Sequence, residues 1–228
     1  SRSMEATDVS PTRLKAAAEA AQEFVRGLPP GHQVGLVSFS NTADIVVSPT
    51  DDHEQVVKAI GELQPEASTA TGDAVLASLQ AIEAARAAAG VESTPSAQGK
   101  SATIVMLSDG AQKVGAPLSE AAAAAVAAGV PVSTITFGTP TGVVTVPGGA
   151  VVPVPPDPEA MAELAETTGG RSFDAASADQ LRDVYSEIQS DVGYTIQTSD
   201  LWPWFVAVGL LLLMAASLAA MVWSGRFL

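Results

Sequence analysis

SATIVMLSDG, residues 101–110, sets a nearly unbroken apolar run, Ala102 to Leu107, against the small polar turn Ser108-Asp109-Gly110. A short run that is apolar on both faces and flanked by helical patterns reads as a central strand of a parallel sheet. An acid at the carboxyl end of such a strand sits where open α/β sheets place their ligand crevice. Asp-Gly is also among the commonest turn pairs, so Asp109 taken alone is equally a turn former. The flanking segments have to decide between the two.

Working outward, helix and strand patterns alternate. Pro11-Thr12-Arg13 opens a helix whose stripe is Leu14, Ala17, Ala18, Ala21, Phe24 and Val25, and Pro29-Pro30-Gly31 stops it. Val34 to Phe39 is a second buried-strand candidate, Asp44 to Val47 a short edge strand, and Asp51-Asp52 head a helix to about Leu63. The small-residue loop Pro65 to Gly72 precedes an alanine-rich helix over Asp73 to Ala89, and Gly90 to Gly99 is a polar linker. Beyond the central strand come a helix from Ser119 to Ala128 closed by Gly129 and a strand from Val132 to Phe137. Thr141 to Pro156 reads as a surface hairpin turning at Gly148-Gly149. A helix over Asp157 to Thr167, a strand over Arg171 to Phe173 and a last helix from Ala178 to about Asp191 complete the alternation. The expected fold is α/β, a doubly wound, mostly parallel sheet with helices on both faces.

Composition removes several functions. The 228 residues carry a formal net charge of −14, so phosphate backbones are repelled and nucleic acid is not an expected partner. The chain has no Cys, which excludes disulfides, thiol nucleophiles and thiolate metal sites. His32 and His53 are the two histidines, which excludes a histidine-rich metal site and leaves a Ser-His-Asp triad few ways to form. Gly99-Lys100-Ser101 lacks the upstream glycine of a phosphate loop and precedes a strand instead of following one. No Gly-x-Ser-x-Gly hydrolase elbow is present.

Trp202 to Trp223 contains no charged residue and ends in Trp202, Trp204 and Trp223. About 20 apolar residues cover a bilayer core, and interfacial Trp marks both ends, so 202–224 is expected to be a transmembrane helix. Arg226 is the basic residue beside it, which puts the tail 225–228 in the cytoplasm and the globular part outside. The organisation expected is a domain over 1–191, a juxtamembrane linker over 192–201, the span and the tail. The chain opens on Ser1 with neither an initiator Met nor a signal peptide and reads as a fragment.

Three short stretches would meet at the carboxyl edge of one sheet: Ser1-x-Ser3, the loop around Thr69, and Asp109. Hydroxyls and carboxylates are hard oxygen donors, and a few of them with open positions suit Mg²⁺ or Mn²⁺. Each also has a plain reading, since loop serines are common and Thr69 or Thr71 could cap the following helix.

The set resembles the von Willebrand factor A domain and its metal-ion-dependent adhesion site, whose pattern is Asp-x-Ser-x-Ser, then Thr, then Asp. Ser1 and Ser3 match the serines, Thr69 in STATGDA the threonine and Asp109 in LSDG the second aspartate. The first aspartate and its strand would precede Ser1, outside this sequence. SMEATDVSPTRL, TATGDA, the valine-rich hairpin after FGTP and the carboxyl-terminal span are similar to actinobacterial membrane-anchored relatives of the Bat aerotolerance proteins, which usually carry amino-terminal membrane segments as well.

The resemblance implies a Mg²⁺-dependent protein-binding module, not an enzyme. Ser1, Ser3 and Thr69 would offer hydroxyl oxygens, Asp109 would act through water or hydrogen bonds, and a vacant position would accept a partner's carboxylate. The fragment alone, lacking the first aspartate, is expected to bind Mg²⁺ poorly. Some relatives are encoded beside MoxR-type AAA ATPases, which implies an assembly or chaperone-like role. Asp8 and Asp73 are read as solvated or capping acids. Two alternatives stay open: a Mg²⁺-dependent phosphohydrolase on a similar sheet, and a scaffold that binds no metal.

Overall fold

The computed structural model describes residues 2–66, 68–90, 102–109, 112, 114–145, 149–193 and 213–214. The chain divides into two units, Ser1–Gly193 and Tyr194–Leu228. In the second, Leu213 and Met214 are helical and exposed. The rest of the expected span 202–224, and Ser1, lie outside the described residues. Among the described residues no helix is long and apolar enough to cross a membrane.

The first unit begins with a 3₁₀ turn, Arg2–Glu5, and continues through α1 (Arg13–Gly27), β1 (Val34–Phe39), β2 (Ala43–Thr50), α2 (His53–Gly61) and α3 (Thr71–Ala88). It proceeds through β3 (Ile104–Ser108), α4 (Leu118–Ala128), β4 (Val132–Phe137), β5 (Val143–Thr145), β6 (Val151–Pro153), α5 (Pro158–Thr168), β7 (Ser172–Ala175) and α6 (Ala178–Gly193). Local chemistry sets the ends. Thr12, Asp52 and Asp157 each accept a backbone N–H at a helix start, and Gly129 and Gly169 close α4 and α5 at positive φ.

β3, β4 and β7 form a parallel sheet in that order. Their side chains alternate between two cores, as a period of two requires. Ile135 and Phe137, with Val105 and Leu107 beside them, face Ala16, Ala17, Leu181, Tyr185 and Ile188 of α1 and α6. Ile104, Met106 and Val132 face Val75, Ala121, Ala125, Met161 and Leu164 of α3, α4 and α5. Helices therefore cover both faces, and the doubly wound reading holds for these strands.

The mostly parallel reading stands, with one antiparallel pair beside it. β1 and β2 are antiparallel and form their own two-stranded sheet. The reason is local: Ser40 N–H donates to the Thr42 carbonyl at 2.8 Å, folding the chain straight back on itself. α3 bridges the two sheets, since Phe39 and Ala43 pack against the cluster that it shares with Ile104 and Met106. β5 and β6 form the expected hairpin, paired Val143 to Pro153, Val144 to Val152 and Thr145 to Val151.

Tyr185 lies in the α1–α6 core, its ring stacked on Phe24 at a centroid distance of 5.0 Å. Burial pushes its phenol above the ordinary tyrosine range. A group whose folded pKa is raised keeps its full contribution below the unfolded value, about 10, and loses it as pH rises further. Stability is therefore expected to fall above pH about 10, and Tyr185→Phe should flatten that decline. Identical alkaline denaturation curves for the two proteins would refute the assignment.

Candidate functional site

Parallel pairing fixes what stands along the carboxyl edge of the main sheet. Ser108, the last residue of β3, pairs with Thr136 of β4, and Phe137 pairs with Ala175 of β7. Asp109 follows directly, 4% exposed, and its carbonyl accepts the Asp157 N–H at 2.7 Å. That bond ties the strand end to the start of α5.

Thr69 is 1% exposed, in a loop whose preceding residue, Ser68, has φ of 74°. A non-glycine residue in the left-handed region is strained, and such strain persists only where surrounding contacts over-determine it. Those contacts come from the segment that follows Asp109. Val114 N–H donates to the Thr69 carbonyl at 3.4 Å, and Ala116 N–H to Asp73 Oδ1 at 2.8 Å. Gly72 passes so near the Ala116 carbonyl that a Cβ there would collide with it. The Thr69 loop and the Asp109 loop are thus stitched together by backbone and by one carboxylate.

Ser3 is 4% exposed within the first 3₁₀ turn, and its neighbour Met4 packs in the cluster that holds Leu107, Ile135 and Phe137. The hairpin strand β5 also touches this turn. Ser3, Thr69 and Asp109 are all buried, on three segments attached to the same half of the sheet. Ser1 lies outside the described residues.

The donors present suit a hard cation. Thr69 Oγ1 is buried without a hydrogen-bond partner, and so are Thr71 Oγ1 and Thr136 Oγ1. An orphaned buried hydroxyl costs on the order of 1–3 kcal/mol, so such groups call for a ligand or an ordered water. Among the described residues no three His, Cys, Asp or Glu side chains cluster for metal binding. A donor set of hydroxyls with one carboxylate fits Mg²⁺ or Mn²⁺, which retain waters, far better than it fits a softer metal.

A von Willebrand factor type A domain model matches residues 1–112. A UPF0353 protein from Mycobacterium marinum is 40% identical over 232 residues, an alignment that covers 99% of this chain and 68% of that protein. The chain belongs to the UPF0353 family, with a von Willebrand factor type A domain. Three solved structures resemble this UPF0353 chain in fold. BatB from Bacteroides thetaiotaomicron superposes with a TM-score of 0.67 at 22% identity, over 83% of this chain and 93% of the other. An aerotolerance-related membrane protein from Bacteroides fragilis gives 0.68 at 20%, over 84% and 94%. Proximal thread matrix protein 1 from the mussel byssus, in a structure with a zinc-occupied MIDAS motif, gives 0.56 at 17%, over 77% and 42%.

In the UPF0353 chain, Asp8 is neither solvated nor a cap, contrary to the sequence reading. Its carboxylate receives Arg13 Nε at 2.8 Å and Nη2 at 2.7 Å, and both the N–H and the hydroxyl of Thr139 at 2.8 Å. Arg13 is fully buried, and it also donates to the carbonyls of Val154 and Thr139. Burial alone would raise the Asp8 carboxyl, but the Arg13 and Thr139 hydrogen bonds and the Arg13 charge hold it well below the usual carboxylate range. The pair pins the segment after Ser3 to both ends of the hairpin. Asp73 is the other correction, for it ties two loops rather than facing solvent. Thr71 was weighed in sequence only as a cap, whereas its hydroxyl is unpartnered; Thr136, inside a strand, carried no sequence signal.

Proposed function

We propose that this chain is a membrane-anchored protein-binding module rather than an enzyme, and that Ser1, Ser3, Thr69 and Asp109 take part in a Mg²⁺-dependent adhesion site. The observation that carries the reading is the buried, unpartnered Thr69 hydroxyl, held on a strained loop that is bonded to the segment after Asp109. A divalent ion bound there would supply an open coordination position for a carboxylate of a partner protein. The chain's own part is to hold the hydroxyls and Asp109 rigid, so that the ion would bind a preorganised set. Zinc in the MIDAS motif of the mussel protein supports a metal role for this fold, and the Bacteroides membrane protein supports anchoring. Residues 202–224 are the proposed span, with the domain outside the cytoplasm. Assembly or chaperone-like work with a MoxR-type AAA ATPase is part of the same proposal.

Thr69→Val separates this reading from a metal-free scaffold. Removing an orphaned hydroxyl while keeping the shape should leave the metal-free fold unchanged or about 1 kcal/mol more stable. In the intact protein, saturating Mg²⁺ should raise the wild-type unfolding temperature, because a ligand at 100 times its Kd adds about 2.7 kcal/mol. Thr69→Val and Asp109→Ala should abolish that rise, and EDTA should reverse it. A wild type whose unfolding ignores Mg²⁺ would overturn the proposal.

A further inference from the structure

Beside the Asp109 edge lies a surface unlike the rest of the chain. Residues 138–156 carry no charged side chain in a protein of net charge −14. Within them the β5–β6 hairpin turns Val143, Val151 and Val152 to solvent, 46%, 62% and 40% exposed, while Val144 is buried beneath. At its root, where Val154 N–H donates to the Gly142 carbonyl at 2.8 Å, a cavity of about 270 Å³ is lined by Pro140, Pro156, Pro158, Ala175 and Ala176, with Asp174 and Gln180 among its polar members.

The cavity's place relative to Asp109 follows from the sheet. Thr136 and Ala175, which line it, lie at the carboxyl ends of the two strands beyond β3. Neighbouring strands are about 4.8 Å apart, so the cavity lies roughly 5–10 Å along the edge from Asp109. Its wall at Pro156 and Pro158 flanks Asp157, whose N–H is bonded to the Asp109 carbonyl, so cavity and site are held as one piece. An extended chain advances about 3.3 Å per residue, so that distance corresponds to two or three residues of a bound segment.

We infer that the partner of the adhesion site is an extended protein segment that carries a carboxylate and, two or three residues away, an aliphatic side chain that fills the proline-walled cavity. This inference rests on the metal-site reading proposed above. Charge orders the segment: Asp174 in the cavity's lining repels a carboxylate, which leaves the cavity to the aliphatic side chain and the Asp109 edge, with its cation, to the carboxylate. The same strip lacks Trp, Tyr, Phe, Leu, Lys and Arg, the residues that seat a loop in a bilayer surface, which favours a protein over lipid.

The test uses the intact protein and labelled peptides with Glu at the centre and Leu two or three residues to either side. Controls replace Leu by Ser, or Glu by Gln. With Mg²⁺, one Leu peptide should bind about tenfold tighter than its Ser control, the scale expected for burying one aliphatic side chain. Ala176→Leu, which fills the cavity from an exposed position away from the proposed ligands, should erase that preference while leaving binding of the Ser peptide intact. Equal binding of Leu and Ser peptides, both dependent on Glu and Mg²⁺, would overturn the inference and leave the metal reading standing. Absence of any Glu- and Mg²⁺-dependent binding would overturn both. Residues 1–228 hold no Cys, so Val151→Cys gives one spin-label position within them. A label that collides with membrane-dissolved oxygen in proteoliposomes would assign the hairpin to lipid and overturn the inference.

Discussion

Arg13→Met is expected to cost about 3–5 kcal/mol of folding stability, the usual penalty for leaving a buried charge without its partner. The guanidinium is fully buried and two of its nitrogens hold the Asp8 carboxylate, so methionine would fill the space without neutralising the acid. Urea denaturation at pH 7 reads the loss directly. The pH dependence supplies a second check. The folded pKa of Asp8 is depressed, so its stabilising contribution is present above the ordinary carboxylate value of about 4 and disappears as pH falls below it. In Arg13→Met the acid is freed to protonate, so the gap between wild type and variant should narrow below pH about 4. A gap that is small, or independent of pH, would show that Asp8 is solvated after all. The surface pairs Arg182–Asp179 and Arg26–Glu54 are exposed on both sides, and their removal should cost well under about 1 kcal/mol each.

Gly72→Ala is expected to have the largest effect on binding of any single methyl. The added Cβ would meet the Ala116 carbonyl, a backbone group that cannot rotate away. Overpacking of this kind costs about 1–3 kcal/mol, and here relief requires parting the loop that carries Thr69 from the segment after Asp109. The expected result is a folded protein with reduced stability and no Mg²⁺-induced rise in unfolding temperature. Gly61→Ala, on α2, is the control, since a Cβ there would meet only the end of the flexible Gln22 side chain. A Gly72→Ala protein with the full wild-type response to Mg²⁺ would mean that the two loops need not be held together.

Most elements were legible because their signals are local. β1 and β4 match the apolar runs residue for residue, and the helix ends follow caps such as Thr12, Asp157 and Gly129. Pairing is not local, and the apolar runs alone do not say that β1 and β2 pair antiparallel. The buried Asp8–Arg13 pair was illegible for a related reason. An acid and a base five residues apart look like ordinary surface charges, and what buries them is Thr139 and Val154, more than a hundred residues away. Thr69 and Asp109 were legible as motif positions, but the backbone bonds that join their loops were not. Thr136 gives no signal because a threonine inside a strand is an ordinary β former.

The uncharged hairpin also bears on how the protein behaves at high concentration. Val143, Val151 and Val152 stand exposed on it, and exposed aliphatic groups side by side favour contact between copies. The net charge of −14 opposes such contacts over long range, and salt shortens that range to about 8 Å at physiological ionic strength. Colloidal stability in this chain should therefore depend on ionic strength, with self-association growing as salt is added and starting at the hairpin.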